Sequence, residues 1–403
     1  MNQTPILRLC ARVEGHPEQY KRLRNACTGF DNWQHLLQQA EREGISPLVV
    51  KHLKASESEY PTSICRSLVI LERQHKYRSK IIVAVLKEVV TLLQENDITP
   101  LVIKGAALCH TIYPEPHLRP MRDIDVLLHK DEVDRAQSIL EKSGFNPSKS
   151  PIPPNHFHLP PLMKNLGGIP VCVELHRGLY PSCPPYYQEI DFEKMVADAR
   201  PFSFEGCETI TMGDEDALWY IYQHGLCMPL TYEPYRLINC ADIFQMVETC
   251  SSTLNWQLIE KKYPALYNAL PLLDHLSPWN PANIPDYFRL KSPKKTDHVT
   301  RPFSGWPTGK IKLQKEQGRS LGKILRETFL PPFWWMKVYY GLGSFWSVIR
   351  CLLVTHPKTI LWWMKLYSHI IEERCEVEKC RIKKPKPMHS FFKIRALLIK
   401  LTE

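Results

Sequence analysis

The sequence predicts an α+β fold in which a mixed sheet core lies between helical regions. Two patterns indicate this fold class. Between residues 97 and 213, short apolar runs typical of strands alternate with segments of helical period. Before and after that stretch, apolar residues recur at helix spacing instead. The apolar share of 44% and the charged share of 23% are those of a globular protein, which excludes wholesale disorder.

The first helical region is predicted to span residues 1–96. Within residues 17–55, large apolar side chains recur at helix spacing up to Gly44, a residue type that commonly ends helices. Residues 64–96 predict one long helix with an apolar face. The opening segment has neither a long apolar run nor a small-residue cleavage site, so no secretory signal is expected.

The core, residues 97–213, is predicted to alternate strands with helices before a Pro-rich loop and a last strand. The expected elements in chain order are strand 99–103, helix 106–112, strand 123–128, helix 130–143, loop 146–161 and strand 171–176. Gly105 precedes the first of these helices and Gly144 follows the second. This order predicts that strands 99–103, 123–128 and 171–176 belong to one sheet.

Three further segments follow the core. Residues 214–276 are predicted to be helical, residues 277–320 to form a linker rich in Pro, Lys, Ser and Gly, and residues 321–403 to form a basic, aromatic-rich helical region. Residues 286–403 hold 24 Lys and Arg against 9 Asp and Glu, a net charge of +15. The rest of the chain holds 28 against 33, or −5, so a basic partner-facing surface is expected at the C-terminal end.

That C-terminal region has three interpretations: a packed helical cap, a membrane-surface contact, or a nucleic-acid contact through residues 286–403. Its most apolar stretch, residues 333–349, is interrupted by Gly341 and Gly343. A spanning helix needs about 20 apolar residues, so no transmembrane segment is expected. Thirteen cysteines are scattered without a repeated spacing, which favours reduced thiols and a cytoplasmic protein, with peripheral membrane association as the alternative.

The pair Asp123 and Asp125 is the centre of the predicted site. Side chains two apart on a strand project to the same face, and Glu174 on a neighbouring strand completes a three-carboxylate cluster. Carboxylate oxygens suit hard divalent cations, and two such cations can clamp the oxygens of a phosphoryl group during its transfer. The three acids are therefore predicted to be catalytic metal ligands for Mg²⁺ or Mn²⁺.

Residues beside the acids are candidates for nucleotide contact. Gly105 at the mouth of a helix lets backbone N–H groups approach a phosphate, with the Lys104 ammonium beside it. Arg119 either binds a triphosphate or braces the loop before the catalytic strand. His176 shares the face of Glu174, where it orients a carboxylate, contacts the nucleotide, or makes a structural hydrogen bond.

These motifs resemble a known family. The runs Lys104–Leu108, Arg119–Leu127 and Glu174–His176, with helical flanks over roughly residues 30–270, look like the bacterial nucleotidyltransferase family often described only as uncharacterised, within the polymerase-beta-like superfamily. The resemblance implies a nucleotidyltransferase-like sheet core, Asp123 and Asp125 as principal metal ligands, and Glu174 as the third. It also implies a nucleoside triphosphate (NTP) as substrate.

Three positions depart from that pattern. Arg122 stands where the family commonly has Gly, and its side chain is expected to narrow the approach to the metals. Lys104 stands where the wider superfamily usually has Gly or Ser, and Glu174 replaces a more usual Asp. The main prediction is transfer of a nucleoside monophosphate from an NTP to an unidentified hydroxyl or phosphate acceptor. One alternative is a catalytically inactive fold that serves as a binding or membrane-surface partner, with Lys104 and Arg122 neutralising the acids. Another is a nucleotidyltransferase that modifies RNA or tRNA. The sequence does not select the NTP.

Overall fold

A mixed seven-stranded sheet forms the centre of the computed structural model, with helices on both of its faces. The structure describes residues 5–148, 152, 156–180, 191–227, 236–291, 320–331 and 333–361. The prediction of an α+β protein with a mixed sheet core between helical regions is confirmed.

Five helices precede the sheet: α1 Pro5–Leu9, α2 Pro17–Cys27, α3 Trp33–Glu43, α4 Ser46–Ala55 and α5 Thr62–Gln94. Gly44 ends α3 with a left-handed φ of 73°, where its backbone N–H donates to carbonyls of the last turn. A residue with a Cβ is disfavoured in that conformation, so the sequence-based helix end is confirmed. The long α5 buries one apolar face, which includes Val85, Leu86 and Leu93, against the sheet.

Seven strands and three helices make up the core: β1 Leu101–Ile103, α6 Lys104–Thr111, β2 Asp123–Leu127, α7 Val133–Lys142, β3 Asn146–Pro147, β4 Leu162–Leu166, β5 Ile169–His176, α8 Phe192–Ala197, β6 Arg200–Phe204 and β7 Cys207–Thr211. The spatial order is β3-β4-β5-β2-β1-β7-β6. The β2–β5 and β1–β7 pairs are parallel and the other neighbours are antiparallel.

The remaining helices are α9 Asp214–Tyr222, α10 Leu237–Cys250, α11 Trp256–Lys262, α12 Pro264–Ala269, α13 Asp286–Lys291, α14 Leu321–Phe329, α15 Phe333–Tyr340 and α16 Phe345–Arg350. A π-helical turn, Gln223–Cys227, extends α9, and another, Cys351–Thr355, extends α16. Among the described residues, no single helix is long and apolar enough to cross a membrane. The pair Phe333–Tyr340 and Phe345–Leu361 passes that test only together, and it is bent by 86°.

Alternation along β2 separates its two faces. Ile124 and Val126 pack into one hydrophobic cluster with α5 and α7. Leu127 belongs to the other cluster, which is built from the N-terminal helices, α9, α10 and the C-terminal helices. Ile124 and Val126 therefore face the cluster formed with α5 and α7. Asp123 and Asp125 are directed to the other side, where the later helices pack.

Four strands were not predicted from the sequence, namely β3, which falls within the predicted loop 146–161, β4 and the β6–β7 hairpin. The predicted linker also contains packed residues at its start, because Trp279 and Phe288 are buried with ring centroids 5.0 Å apart. Residues 292–319 of that segment and residues 362–403 of the basic region lie outside the described residues.

Candidate active site

Strand register brings the predicted acids together. Asp125 lies opposite Glu174 in the parallel β2–β5 pair and opposite Ile103 in the antiparallel β1–β2 pair. Asp123 lies two residues earlier, opposite Cys172. As predicted from the alternation of a strand, Asp123, Asp125 and Glu174 all line one cleft of about 340 Å³.

The cleft lies between the sheet and the helical region that follows it. On the sheet side it is bounded by the start of α6, the loop before β2, and the three acids. The opposite wall comes from the end of α9, its π-helical turn and the start of α10, with the lining residues Ile221, His224, Arg236, Asn239 and Asp242. The chemistry of this cleft is therefore shared by two regions of the chain.

Asp125 is buried, and two basic side chains contact one of its oxygens. The Lys104 Nζ lies 2.7 Å from Asp125 Oδ1, and the His176 Nε2 lies 2.8 Å from the same atom. Burial alone would raise the pKa of Asp125, but the Lys104 ammonium and the hydrogen bond from His176 hold it well below its usual range. Asp125 is therefore ionised at neutral pH.

Lys104 connects the phosphate end of the predicted site to the acids. It is the first residue of α6 and has a left-handed φ of 53°, which is uncommon for a residue with a side chain. Burial opposes its charge, yet Asp125, Tyr220, Asp123 and Glu174 together raise its pKa well above the ordinary value. The ammonium therefore lies as a fixed positive charge among three carboxylates.

Asp123 and Glu174 differ from Asp125 in their electrostatics. Burial and the neighbouring Asp125 carboxylate raise the pKa of Asp123 to about 6. For Glu174, burial is outweighed by the His176 imidazole, 3.6 Å away, so its pKa lies below the usual value. Asp123 is the acid whose negative charge is least compensated by the protein.

His176 is fully buried beside Asp125 and Glu174. Its Nε2 faces Asp125, and its Nδ1 lies 3.3 Å from the backbone carbonyl of Gly178. An ionised carboxylate and a carbonyl can only accept, so both ring nitrogens are best satisfied when both carry protons. Burial and Lys104 disfavour that charge, but the Asp125 and Glu174 carboxylates outweigh them and raise the pKa of His176.

Arg119 is held by a buried ion pair. Its Nη2 lies 2.7 Å from Asp242 Oδ2, and the Tyr113 hydroxyl donates to Asp242 Oδ1 at 2.7 Å. Of the two roles predicted for Arg119, the bracing one is therefore present in the structure, while its guanidinium still lines the cleft. Gly105 makes room for it, because a Cβ at that position would lie 2.0 Å from Arg119 Nη1.

Arg122 lines the cleft but is directed away from the acids. It is exposed, and its Nη2 lies 3.4 Å from the Arg42 carbonyl. The same carbonyl accepts a hydrogen bond from Arg236 Nε at 3.2 Å. Lys104 and Arg122 are the two cations expected to neutralise the acids in an inactive protein. Of these, Lys104 contacts an acid and Arg122 bonds the Arg42 carbonyl instead.

His224 is a lining residue that the sequence interpretation missed. It lies in the π-helical turn after α9, and burial together with Lys104 lowers its pKa to about 3, so it is neutral. The next residue is Gly225, where a Cβ would lie 2.6 Å from Asn239 Cβ of α10. An isolated Gly inside a helical pattern was the available signal, since such a Gly often marks a close approach.

The donor set fits a hard divalent cation. Asp125 and Glu174 offer carboxylate oxygens, and these lie with a ring nitrogen of His176 within 4.8 Å of one another. That ring nitrogen can ligate a metal only after it loses its proton. Asp123 adds a buried carboxylate whose raised pKa reports uncompensated negative charge, which is the condition that a cation relieves. Lys104 would compete with a metal ion for Asp125, because its ammonium already forms an ion pair with that carboxylate.

Comparison with known proteins agrees with this geometry. The family model described as "Uncharacterised nucleotidyltransferase" matches residues 31–272, more than half of the chain. The chain therefore belongs to this family of nucleotidyltransferases. A search of curated proteins found no match.

Solved structures that resemble the chain include two of ANT(2'')-Ia and one from Paracoccidioides brasiliensis. A solution structure of the antibiotic-resistance factor ANT(2'')-Ia is 12% identical, with a TM-score of 0.31 over 48% of this chain and 96% of that one. An antigenic nucleotidyltransferase-like protein from Paracoccidioides brasiliensis is 17% identical, with a TM-score of 0.32 over 51% and 97%. ANT(2'')-Ia in complex with adenylyl-2''-tobramycin is 14% identical, with a TM-score of 0.28 over 46% and 95%.

Proposed function

We propose that this chain is a metal-dependent nucleotidyltransferase that transfers a nucleoside monophosphate from an NTP to a hydroxyl or phosphate acceptor and releases pyrophosphate. The observation that carries the proposal is the register that sets Asp125 beside Glu174, with Asp123 on the same cleft wall. Three carboxylates around one cleft are a costly arrangement unless a cation uses them.

Each residue has a role in this proposal. Asp123, Asp125 and Glu174 hold Mg²⁺ or Mn²⁺, which when bound supplies charge stabilisation for the phosphate oxygens. His176 fixes the orientation of Asp125 through its 2.8 Å hydrogen bond. The N-terminus of α6, with Gly105 and the Lys104 ammonium, faces the triphosphate. Arg119 adds positive charge to the same wall while it braces Asp242.

Metal-dependent NTP binding tests the proposal without knowledge of the acceptor. Calorimetry with each of the four NTPs, with and without Mn²⁺, should show binding that needs the metal and is lost in Asp125→Asn. Asp131→Asn is the matched control, because Asp131 is an exposed acid just after β2. Transfer is then assayed with α-labelled NTP and mixed small-molecule and RNA extracts. Equal metal-dependent binding in Asp125→Asn and the native protein would contradict the proposal.

A second candidate is a binding protein that keeps the fold without turnover. The Lys104–Asp125 ion pair favours it, because an internal ammonium already neutralises the central acid. Such a protein should bind neither Mg²⁺ nor Mn²⁺ in a manner that depends on Asp125. The calorimetry described above separates the two candidates.

Two finer assignments concern the location of the protein and its acceptor. We infer a cytoplasmic protein from the scattered cysteines, of which those in the described part of the chain are free. An RNA acceptor is proposed only on the net charge of +15 in residues 286–403. It predicts that RNA affinity falls steeply with salt, and salt-insensitive binding would contradict it.

A further inference from the structure

The C-terminal helices expose several large apolar side chains to solvent. On α14, Leu321, Leu325 and Phe329 recur every four residues, and they are 50%, 45% and 48% exposed. This spacing places the three side chains on one face of the helix. The same face continues into Leu330, 61% exposed, at the end of the helix.

A second exposed stripe lies along α16 and its continuation to Leu361. Trp346, Leu353 and Leu361 are 77%, 72% and 61% exposed along this segment. The exposed rings of Phe333 on α15 and Phe345 on α16 are 5.7 Å apart, so exposed apolar groups of these two helices are in contact. We define the apolar surface as the exposed residues Leu321, Leu325, Phe329, Leu330, Phe333, Phe345, Trp346, Leu353, Val354 and Leu361.

The opposite faces of these helices are already packed against the protein. Trp335 and Met336 of α15 are fully buried, and α15 packs on the π-helical turn after α9 and on α12. His356 Nε2, also buried, hydrogen-bonds the Thr328 carbonyl at 2.8 Å, which ties the continuation of α16 to α14. The helices are thus apolar on both sides, a pattern typical of helices that are covered on both sides.

The charge of residues 320–361 indicates the chemistry of the partner that would contact the apolar surface. Residues 320–361 contain five basic side chains, Lys323, Arg326, Lys337, Arg350 and Lys358, and a single acidic one, Glu327. Exposed Trp, Phe and Leu beside Lys and Arg is the composition of protein segments that lie at a bilayer interface. The positive balance favours an anionic surface over a neutral one.

We propose that the apolar surface docks this protein onto an anionic lipid bilayer. The contact is interfacial: the helices lie on the bilayer, because Phe333–Tyr340 and Phe345–Leu361 are bent by 86° and neither alone is long and apolar enough to cross a membrane. The apolar stripes insert among the acyl chains, and Arg350 and Lys358 remain at the level of the lipid headgroups. This property is independent of the transferase activity, since the surface includes none of the cleft residues.

Vesicle flotation with the full chain tests the proposal. The protein should float with vesicles of phosphatidylcholine and phosphatidylglycerol, less with pure phosphatidylcholine, and less as salt is raised. Trp346→Gln/Leu353→Gln should lower the partition coefficient by about tenfold or more, because two large side chains no longer leave water. Ile70→Gln is the matched control, since Ile70 is 52% exposed on α5 and outside the apolar surface; it should float like the native protein.

Three results would overturn the proposal. The first is native protein that does not float with the anionic vesicles. The second is unchanged flotation of the double variant Trp346→Gln/Leu353→Gln, when circular dichroism shows that this variant and Ile70→Gln are folded. The third is a concentration-dependent dimer in light scattering that this double variant dissociates, since the apolar surface would then be the contact between two copies of the chain. A parallel loss of flotation in Arg350→Gln/Lys358→Gln would support the electrostatic part.

Discussion

Lys104 carries more of the site's electrostatics than any other single residue. Its backbone adopts a left-handed φ and its ammonium is buried, and each of these features costs free energy. The 2.7 Å ion pair with Asp125 offsets that cost. A strained, buried cation beside a metal-ligand candidate is therefore in direct competition with any divalent ion for the Asp125 oxygen.

Replacing Lys104 with Met tests this competition. We expect the free energy of unfolding of the metal-free protein to fall by about 3 kcal/mol, because Asp125 is left as a buried, half-compensated charge. Added Mn²⁺ should recover part of the loss, because a cation that binds only the native state stabilises it. Urea denaturation with and without Mn²⁺ measures both effects.

The control for this substitution is Lys87→Met, an exposed lysine whose Nζ bonds the Glu205 carbonyl. Its stability should change little and should not depend on Mn²⁺ more than the native protein does. If Mn²⁺ stabilises Lys104→Met no more than the native chain, Lys104 does not occupy the place of a metal.

Gly105 is the second residue on which the cleft depends. An added Cβ would lie 2.0 Å from Arg119 Nη1, so Gly105→Ala must displace the guanidinium from the cleft wall. We expect a loss of about 1 to 3 kcal/mol in stability, and weaker NTP binding by calorimetry. Gly322→Ala on α14 is the control, because a Cβ there meets no atom within 4 Å. Equal effects of the two substitutions would refute a specific role for Gly105.

Between elements, the Arg119–Asp242 pair joins the loop before β2 to α10. Asp242 is buried, and its carboxylate also accepts from Tyr113 in the segment after α6. The pair therefore holds the two walls of the cleft together at the height of Gly105. Removing one partner of such a pair is strongly destabilising, because the other partner is left as an uncompensated charge.

A double-mutant cycle measures this coupling. Asp242→Leu alone should cost about 3 to 5 kcal/mol, because Arg119 remains as a buried charge without its partner. Arg119→Leu/Asp242→Leu should cost clearly less than the two single losses together. Chemical denaturation of the four proteins gives the coupling energy, and strictly additive losses would show that the ion pair does not link the two walls.

Across the whole molecule, the N-terminal helices share one hydrophobic cluster with α9, α10 and the C-terminal helices. A buried ion pair between Arg12 and Glu248 connects the same regions. His52 lies beside it, fully buried, and its Nε2 donates to the Arg12 carbonyl at 2.7 Å. Protonation of His52 in acid should therefore lower the stability of the whole fold.

Burial, with repulsion from Arg12 and Lys51, lowers the pKa of His52 to about 3. The unfolded chain then takes up a proton near the ordinary histidine pKa of 6.5 while the folded chain does not. Stability should fall with a slope of up to about 1.4 kcal/mol per pH unit as the pH drops from that value towards the folded pKa.

His52→Gln removes this proton uptake and keeps an N–H donor for the Arg12 carbonyl, so its stability curve should be flatter over this pH range. Chemical denaturation at a series of pH values measures the slopes. His35→Gln, on the exposed face of α3, is the control. A native-like slope in His52→Gln would show that His52 is not the acid-sensitive group.

The sequence by itself determined the features that depend only on residues close together in the chain. Strand alternation set Asp123 and Asp125 on one face, and Gly44 ended α3, because side-chain direction and backbone freedom are local properties. The α+β class followed from the same local periods. The family resemblance supported Glu174 as the third ligand and extended over the region that the family model matches.

Only the tertiary structure decided which distant groups meet. The Asp125–Glu174 register joins residues 49 positions apart, and the partner of Arg119 lies 123 positions away in α10. The β6–β7 hairpin and the π-helical turn with His224 were missed for the same reason. Pairing, burial and charge compensation are properties of segments packed together, so no local period reports that Lys104 points at Asp125 or that the C-terminal helices expose an apolar face.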